Sequence, residues 1–554
     1  MGKKKNGNEF LVQGGILAAA GMISRIIGMI YRIPLLNIMG TTGQGFYEVA
    51  YQIYSIALIL TSYSMPLAVS KLVSARLSKN QEKNAFRIFK SALLLTLVVS
   101  GVVSLIIFFG ADVLAGGVMK MSMSAYALRV LAPGLVIVSV MGVLRGFFQG
   151  RGSMVPTAVS QILEQVVHAI VSIIGAYILL QYGKTVGSEQ RDDLYGPAFS
   201  AAGATLGVIA GGLIALIFLV LIFYAYRGKL RNKIRRDKTV EVESFGFIFK
   251  VLILTIAPVI LSSTVYNIQN VIDSAMFSSI MSAQGFSEEH CGDLLGSLGQ
   301  YYTLFNVPLF MANALGSSIV PPLVRAYENG NREQVHQKIE MAMRVTMLIA
   351  VPSAVAFIVI PKPMLDLIWG SIDNTVAANL FRIGAISIIF YAASTLTNAV
   401  LQGVNKMMSP VKNAATSLVI HVVSLFIMLV FFHWSIYAVV ASKVIFGLAM
   451  CILNSHDLRE AVGYVQEKKR TFVYPAVAAV IMGVVVFVLQ FVLALVISDA
   501  VATVISIVAG VCIYAVSLLA IGGLTEAEIL ALPKGAKIAA VLQKAHLLKK
   551  RCTR

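Results

Sequence analysis

Residues 128–150 read LRVLAPGLVIVSVMGVLRGFFQG, and residues 381–403 read FRIGAISIIFYAASTLTNAVLQG. Each stretch opens with an apolar residue and an arginine, runs apolar, and closes on Gln-Gly at Gln149-Gly150 and Gln402-Gly403. Each is followed by a proline placed to open the next helix, Pro156 and Pro410. A second pair lies earlier in each copy: Leu72-Val73-Ser74-Ala75 with Asn80 and Glu82, against Leu323-Val324-Arg325-Ala326 with Asn331 and Glu333. Both pairs share an offset of about 250 residues, which argues for internal duplication. Each copy has room for six membrane spans. Six is even, so both copies enter from the same side and form parallel repeats about an axis along the membrane normal.

The flanking sequence carries the same message. Of 554 residues, 58% are hydrophobic and 13% charged, and the mean hydropathy is +0.82. A soluble domain carries about 25% charged residues. Apolar runs of roughly 20 residues recur along the chain, the length a spanning helix needs. The runs are continuous rather than alternating, so they predict helices and not a β-barrel. We expect an all-α polytopic membrane protein of about fourteen transmembrane helices: two parallel six-helix repeats plus a C-terminal pair. The first two spans are expected at 10–38 and 46–75. The opening Lys3-Lys4-Lys5 and the run to Ala20 resemble a signal peptide, but the run continues apolar past the alanines, which favours a first span.

The formal net charge is +19. Its distribution assigns it to topology rather than to nucleic acid. Basic residues concentrate in alternate loops: Arg76 to Lys90, Arg145 and Arg151, Arg227 to Lys238, Arg325 and Arg332, Lys406 and Lys412, Lys468 to Arg470, and the tail at Lys549-Lys550-Arg551. The intervening loops, Asn37 to Gly45, Glu189 to Asp193 and Glu288 to Asp293, are neutral or acidic. By the positive-inside rule both termini then face the cytoplasm of a multi-pass cell-membrane protein. The expected organisation is an N-terminal lobe at 1–226, a basic cytoplasmic linker at 227–244, a C-terminal lobe at 245–457, an additional helix pair at 471–522 and a basic tail at 523–554. The four cysteines, Cys291, Cys451, Cys512 and Cys552, show no metal-ligand spacing and no disulfide framework.

Polar residues inside spans are costly and point to function. Gly21, Arg25, Gly28 and Arg32 share one helical face, where the arginines suit an anion such as pyrophosphate, or else snorkelling and pairing with acids. Glu48 and Gln52 share a face of the second span beside Tyr47, Tyr51 and Tyr54, as a sugar-binding surface or an interfacial belt. Glu164 and His168 stand one turn apart, as a protonation-sensitive pair for ion coupling or as inter-helix hydrogen bonds. Ser262, Tyr266, Gln269 and Asp273 form one stripe, and Tyr302, Asn306 and Asn313 another; both suit a cavity lining or helix packing. Arg145, with Gln149 and Arg151, ends a span as an inner-surface anchor or a gate facing lipid phosphate. The sequence carries no Walker loop, His-Glu-x-x-His motif or nucleophile elbow, so no catalytic, cofactor or metal site is expected.

Three stretches carry a family resemblance: Ser24-Arg25-Ile26-Ile27-Gly28-Met29-Ile30-Tyr31-Arg32, Pro66 to Ser74, and Leu144-Arg145-Gly146-Phe147-Phe148-Gln149-Gly150 with Pro156 to Gln161 and Glu164-Gln165. The chain resembles the MurJ/SpoVB-like, polysaccharide-export branch of the multidrug/oligosaccharidyl-lipid/polysaccharide (MOP) exporter superfamily. The resemblance implies two six-helix lobes around a central cavity and alternating access. It implies essential cavity arginines at Arg25 and Arg32, and two further helices that form a groove for a lipid tail. The implied substrate is an undecaprenyl-linked oligosaccharide, with lipid II foremost. Membrane lipids, and cell-wall synthesis machinery, are the implied partners. The chain departs from the flippase pattern at Gln44-Gly45-Phe46 and Tyr302-Thr303, where that pattern has an acid and an Asp-Arg pair. Alternatives within transport are another lipid-linked glycan or a cation-coupled drug export. A membrane glycosyltransferase would need a larger external loop than any found here.

Overall fold

The computed structural model describes residues 16–17, 19–239 and 241–523. Lys3–Lys5, the tail lysines and arginine, Cys552, and the side chains of Ser262 and Tyr266 lie outside the described residues. Among these residues every element is helical. The first is α1 (Ala19–Ile30). It is followed by α2 (Arg32–Leu58), α3 (Met65–Leu77), α4 (Glu82–Asp112), α5 (Ser124–Leu131), α6 (Gly134–Gly150), α7 (Val155–Gln190), α8 (Tyr195–Arg236) and α9 (Phe245–Ala283). Then come α10 (Glu288–Glu328), α11 (Arg332–Val359), α12 (Pro361–Trp369), α13 (Thr375–Gly384), α14 (Ser387–Gly403), α15 (Met408–Val430), α16 (Ser435–Val462), α17 (Tyr474–Ala494) and α18 (Asp499–Ala520).

Among the described residues ten helices are long and apolar enough to cross a membrane, or eleven when the bent pair α13–α14 counts as one span. The expected spans outside that set are the first, which runs into the second, and α9 and α10, which are 39 and 41 residues long. The loop expected at 37–45 is compressed to one residue. Gly40 has φ +69° and ψ 178°, and the chain is helical on both sides of it. A residue without Cβ adopts that left-handed conformation at little cost, so a single glycine turns the chain.

The duplicated stretches fold alike. Residues 128–150 form a helix broken at Ala132–Pro133, and residues 381–403 form one broken at Ala385–Ile386, bent by 55°. The turns after α3 and α10 each carry a left-handed residue, Asn80 (φ 58°) and Gly330 (φ 69°).

The chain divides into two compact units, up to Gly299 and from Gln300. The linker expected at 227–244 lies inside the first. Residues 227–236 are the last turns of α8, and the following segment is strapped to the α3–α4 turn. Asn84 donates from Nδ2 to the Glu241 carbonyl (3.1 Å) and accepts from the Glu243 N–H (3.0 Å). Arg76 pairs with Glu243 at 2.7 Å. Through Ile248, Leu252 and Ile256, α9 joins the core of α3, α4, α6 and α8, where the Phe89 and Phe147 rings pack tilted by 45° with centroids 4.6 Å apart. The second unit has one core around Leu323, Ile339, Leu401 and Leu458 and a smaller one around Ile360, Met482 and Val486. Outward faces remain apolar, as a lipid solvent demands: Phe109 is 77% exposed and Leu221 63%.

Candidate functional site

In the first unit polar residues of α2, α6 and α7 converge, with Tyr31 at the joint between α1 and α2. Tyr31 is buried, and its hydroxyl shares a hydrogen bond of 3.3 Å with His168 Nε2 across 137 residues of chain. The next residue, Arg32, is half-buried and lies within electrostatic reach of Glu48, Tyr47 and Tyr51. Gln44 Nε2 donates to Glu48 Oε1 at 2.8 Å. The rings of Tyr47 and Tyr51 stack at 5.8 Å, and Tyr51 meets Tyr54 at 6.1 Å. These tyrosines are sequestered rather than arrayed as an interfacial belt: Tyr47 is 3% exposed and Tyr54 0%. Gln52 is buried on the same helix.

Two expected partners separate. His168 turns to Tyr31, whereas Glu164 pairs with Arg145 Nη2 at 2.7 Å. Arg145 Nε also donates to Ser160 Oγ at 2.9 Å. The guanidinium therefore bridges α6 to α7 inside the first unit. A third pair closes the end of the same helices: Arg151 reaches both Glu82 carboxylate oxygens, at 2.9 and 3.0 Å, and the Tyr226 hydroxyl at 3.2 Å.

Glycines set where α7 stands. A Cβ on Gly203 would lie 2.1 Å from the Gly175 carbonyl oxygen, one on Gly207 2.5 Å from the His168 carbonyl oxygen, and one on Gly211 2.5 Å from the Glu164 carbonyl oxygen. With no side chains there, α8 approaches α7 backbone to backbone, as small-residue faces permit in membranes. The backbone under Glu164 and His168 is thereby held. On α1, a Cβ at Gly28 would lie 3.1 Å from Gln165 Nε2, so α1 also passes close to α7. Arg25 is exposed one turn earlier.

Gln269 and Asp273 of α9 are buried in the first unit, 4% and 1% exposed. Asn306 belongs to the second unit, where its amide Nδ2 bonds its own helix at the Tyr302 carbonyl (2.8 Å). That unit holds two features not singled out in the sequence. Lys443 on α16 is buried with its amine 4.9 Å from the Tyr302 ring centroid, a cation–π contact. Asn454, also buried, donates to Asn398 Oδ1 (2.8 Å) and Thr397 Oγ1 (3.0 Å) and accepts from Asn413 (3.0 Å). A lone lysine roughly two turns inside an apolar span was the available signal.

A further feature is an apolar groove of about 300 Å³ in the second unit, between α11, α12, α17 and α18. Its walls include Pro352, Ile360, Met364, Met482, Gly510 and Tyr514.

With this geometry the comparisons have a definite meaning. A family model described as "Polysaccharide biosynthesis protein" matches residues 11–327, more than half of the chain. The chain belongs to that family. A second model, MatE, matches residues 258–427. Among curated relatives, the lipid II flippase MurJ of Bacillus subtilis (strain 168) is 27% identical over 419 residues, 74% of each chain. Stage V sporulation protein B of the same organism is 28% identical over 395 residues, 70% of this chain and 72% of that one. Among solved structures, the lipid II flippase MurJ in an inward closed conformation gives a TM-score of 0.62 at 14% identity, covering 90% of this chain and 97% of that one. An inward-facing multidrug resistance MATE transporter of the MOP superfamily gives 0.65 at 16% identity, covering 79% and 94%. At such identities the structural likeness shows the fold alone. The family member described here is a multi-pass membrane transporter of MurJ/SpoVB-like sequence rather than an enzyme.

Proposed function

We infer that this protein is an alternating-access flippase that carries an undecaprenyl-pyrophosphate-linked oligosaccharide, with lipid II the first candidate, across the cytoplasmic membrane for cell-wall synthesis. The observation that carries this reading is the half-buried Arg32 set among Tyr47, Tyr51 and Glu48 in a membrane-embedded helix pair. A guanidinium matches pyrophosphate oxygens, and tyrosine rings match sugar faces. Arg25, exposed on α1, is the candidate second cation, seven residues before Arg32. Glu48 and Gln52 supply polar partners for sugar hydroxyls. Arg145 extends the cationic path toward the inner ends of the helices, and Glu164 and His168 are the candidate groups for ion coupling. Gln269 and Asp273 complete the polar set of the first unit, and Asn306 is a separate candidate contact of the second. The apolar groove beside α17 and α18 suits a prenyl chain that remains in a lipid-like environment. The driving force in this reading is membrane potential or an ion gradient. Both termini face the cytoplasm, and the synthesis machinery that makes and consumes the lipid is the natural partner. The MurJ and stage V sporulation protein B relatives support it.

The test is depletion of the protein followed by a leaflet-resolved assay of lipid II. Accumulation on the cytoplasmic face supports the reading. Unchanged lipid II with loss of another surface glycan replaces the substrate and keeps the transport class. Arg32→Ala with full flipping at normal protein levels removes the pyrophosphate role.

A further inference from the structure

Outside the polar cluster, the first unit has a cavity of about 620 Å³. It opens where α3 and α6 end and where α8 runs past them. Its lining is two-sided. Leu77, Phe148, Pro156 and Ile222 form an apolar wall, while Arg151, Lys233 and Arg236 bring positive charge.

The height of this cavity relative to the bilayer can be read from α8. This helix is 42 residues long, whereas about 20 residues cross the hydrocarbon core. Leu221 is 63% exposed and Tyr224 69%, and Arg227 packs over the Tyr224 ring at 5.6 Å. Exposed apolar residues giving way to tyrosine and then arginine mark the lipid–water interface. Ile222 and Tyr226, four residues apart, therefore sit at the boundary between acyl chains and headgroups. Lys233 and Arg236 sit two to three turns further out on the same helical face.

The acids that share the cavity are already answered. Both Glu82 oxygens accept from Arg151, and Lys233 Nζ stands 3.8 Å from Glu82. Asp237 accepts from the backbone N–H of Lys83 (2.6 Å) and Thr239 (2.7 Å). Arg151, its side chain 7% exposed, is fixed as a floor by these bonds and by Tyr226. A neighbouring hollow adds Lys79 and Lys238 and shares Asn80, Arg236 and Asp237.

We propose that this cavity is a binding site for the phosphate headgroup of an anionic phospholipid of the inner leaflet. The phosphate lies between Lys233 and Arg236, and the first acyl carbons lie on Leu77, Phe148 and Ile222. A basic pocket between helices on the cytoplasmic side is the arrangement that recognises anionic lipid, and each cation near the surface strengthens binding about fivefold. The apolar wall selects a lipid over a free anion, because inorganic phosphate would leave that wall wet. The proposal uses the orientation in which basic loops face the cytoplasm. It does not depend on which cargo is carried.

Native mass spectrometry of the full-length protein, released from micelles containing phosphatidylglycerol, counts the lipid retained. The double variant Lys233→Ala/Arg236→Ala is expected to weaken the tightest phosphatidylglycerol site about 30-fold. Arg227→Ala/Lys229→Ala removes the same charge from the same helix outside the cavity and is expected to change it less than about twofold. Ser153→Glu sets a carboxylate in the lining while keeping both cations, and is expected to weaken the site as well. Equal losses in the two double variants would show diffuse surface attraction and overturn the proposal, as would no loss in either. Displacement of phosphatidylglycerol by millimolar inorganic phosphate or glycerol 3-phosphate would identify a small-anion site and overturn the lipid assignment.

Discussion

Gly211→Ala tests whether the glycine face of α8 is what holds the functional face of α7 in place. The new Cβ would lie 2.5 Å from the Glu164 carbonyl oxygen and 3.1 Å from the His168 Cβ. Neither the carbonyl nor the helix backbone that carries it can rotate away. To reach ordinary contact near 3.4 Å the two helices must part by about 0.9 Å. Forced overpacking of this kind costs about 1–3 kcal/mol. The larger effect falls on geometry. The Tyr31–His168 bond is already 3.3 Å long, and the Arg145–Glu164 pair is 2.7 Å. Displacement of α7 by nearly 1 Å breaks the first and stretches the second, and errors of that size cost up to about 10²-fold in rates that rest on positioned groups. Gly228→Ala on the same helix is the control, since a Cβ there meets no atom within 4 Å. The assay is lipid flipping in reconstituted vesicles, or rescue of a depleted strain, with membrane levels matched by immunoblot. The expected result is at least about a tenfold loss for Gly211→Ala and none for Gly228→Ala. Wild-type flipping by Gly211→Ala would refute the claim that close α7–α8 packing positions the site.

Ser506→Phe is expected to fill the apolar groove of about 300 Å³ and to lower transport of a long-chain lipid more than of a short-chain analogue, read in the same vesicles. Lys443→Met removes the cation over Tyr302 while keeping the length of the side chain, and is expected to lower transport with protein levels unchanged, whereas Lys443→Arg retains most of it. The strap after α8 carries a pH dependence of known sign. Hydrogen bonds from Lys83 N–H and from the Thr239 N–H and hydroxyl hold Asp237 below its ordinary value of 3.8. Its contribution is therefore complete above 3.8 and is lost as pH falls through the lowered value. Limited proteolysis of residues 237–244 should be slow and flat at neutral pH and accelerate only in strong acid. Asp237→Asn should show the fast cleavage at neutral pH, and equal cleavage of both forms would count against the strap.

Much of the fold was legible because bilayer physics writes it into composition. Long apolar runs name the helices, whereas the matched break in the repeated stretches 128–150 and 381–403 is seen only in the structure, since each reads in sequence as one continuous span. What hydropathy cannot register is a single backbone torsion. Gly40 carries the turn between the first two spans, and nothing in its neighbours marks it out from Gly43 or Gly45. The polar residues inside the helices were legible one by one, but their pairings were not. Helical spacing puts Glu164 and His168 on one face, yet Glu164 pairs with Arg145 of α6 and His168 with Tyr31 at the joint between α1 and α2. Lys443 escaped notice for the opposite reason: one charge does not lower the mean hydropathy of a long apolar window enough to stand out.

In the flippase proposed above, the pairing of charges bears on how an arginine-based site would release what it binds. Arg145 is held by Glu164, Arg151 by Glu82, and Arg32 feels Glu48. An unpartnered guanidinium in a membrane interior would be costly, and would clamp a pyrophosphate too tightly to release it. A carboxylate next to each arginine lowers both costs. It neutralises the cation when no substrate is present and competes with the substrate when one is bound. Loading then exchanges one partner for another rather than creating a new buried pair, so the free energy of binding remains small enough to reverse within a cycle. Glu164→Gln follows directly: the carboxamide keeps the shape but loses the competing charge. Apparent affinity for a pyrophosphate-bearing lipid should rise while turnover falls, a split between KM and kcat that loss of folding cannot mimic. A Glu164→Gln protein that loses affinity and turnover together would place Glu164 among the structural acids and leave Arg145 as an inter-helix tie.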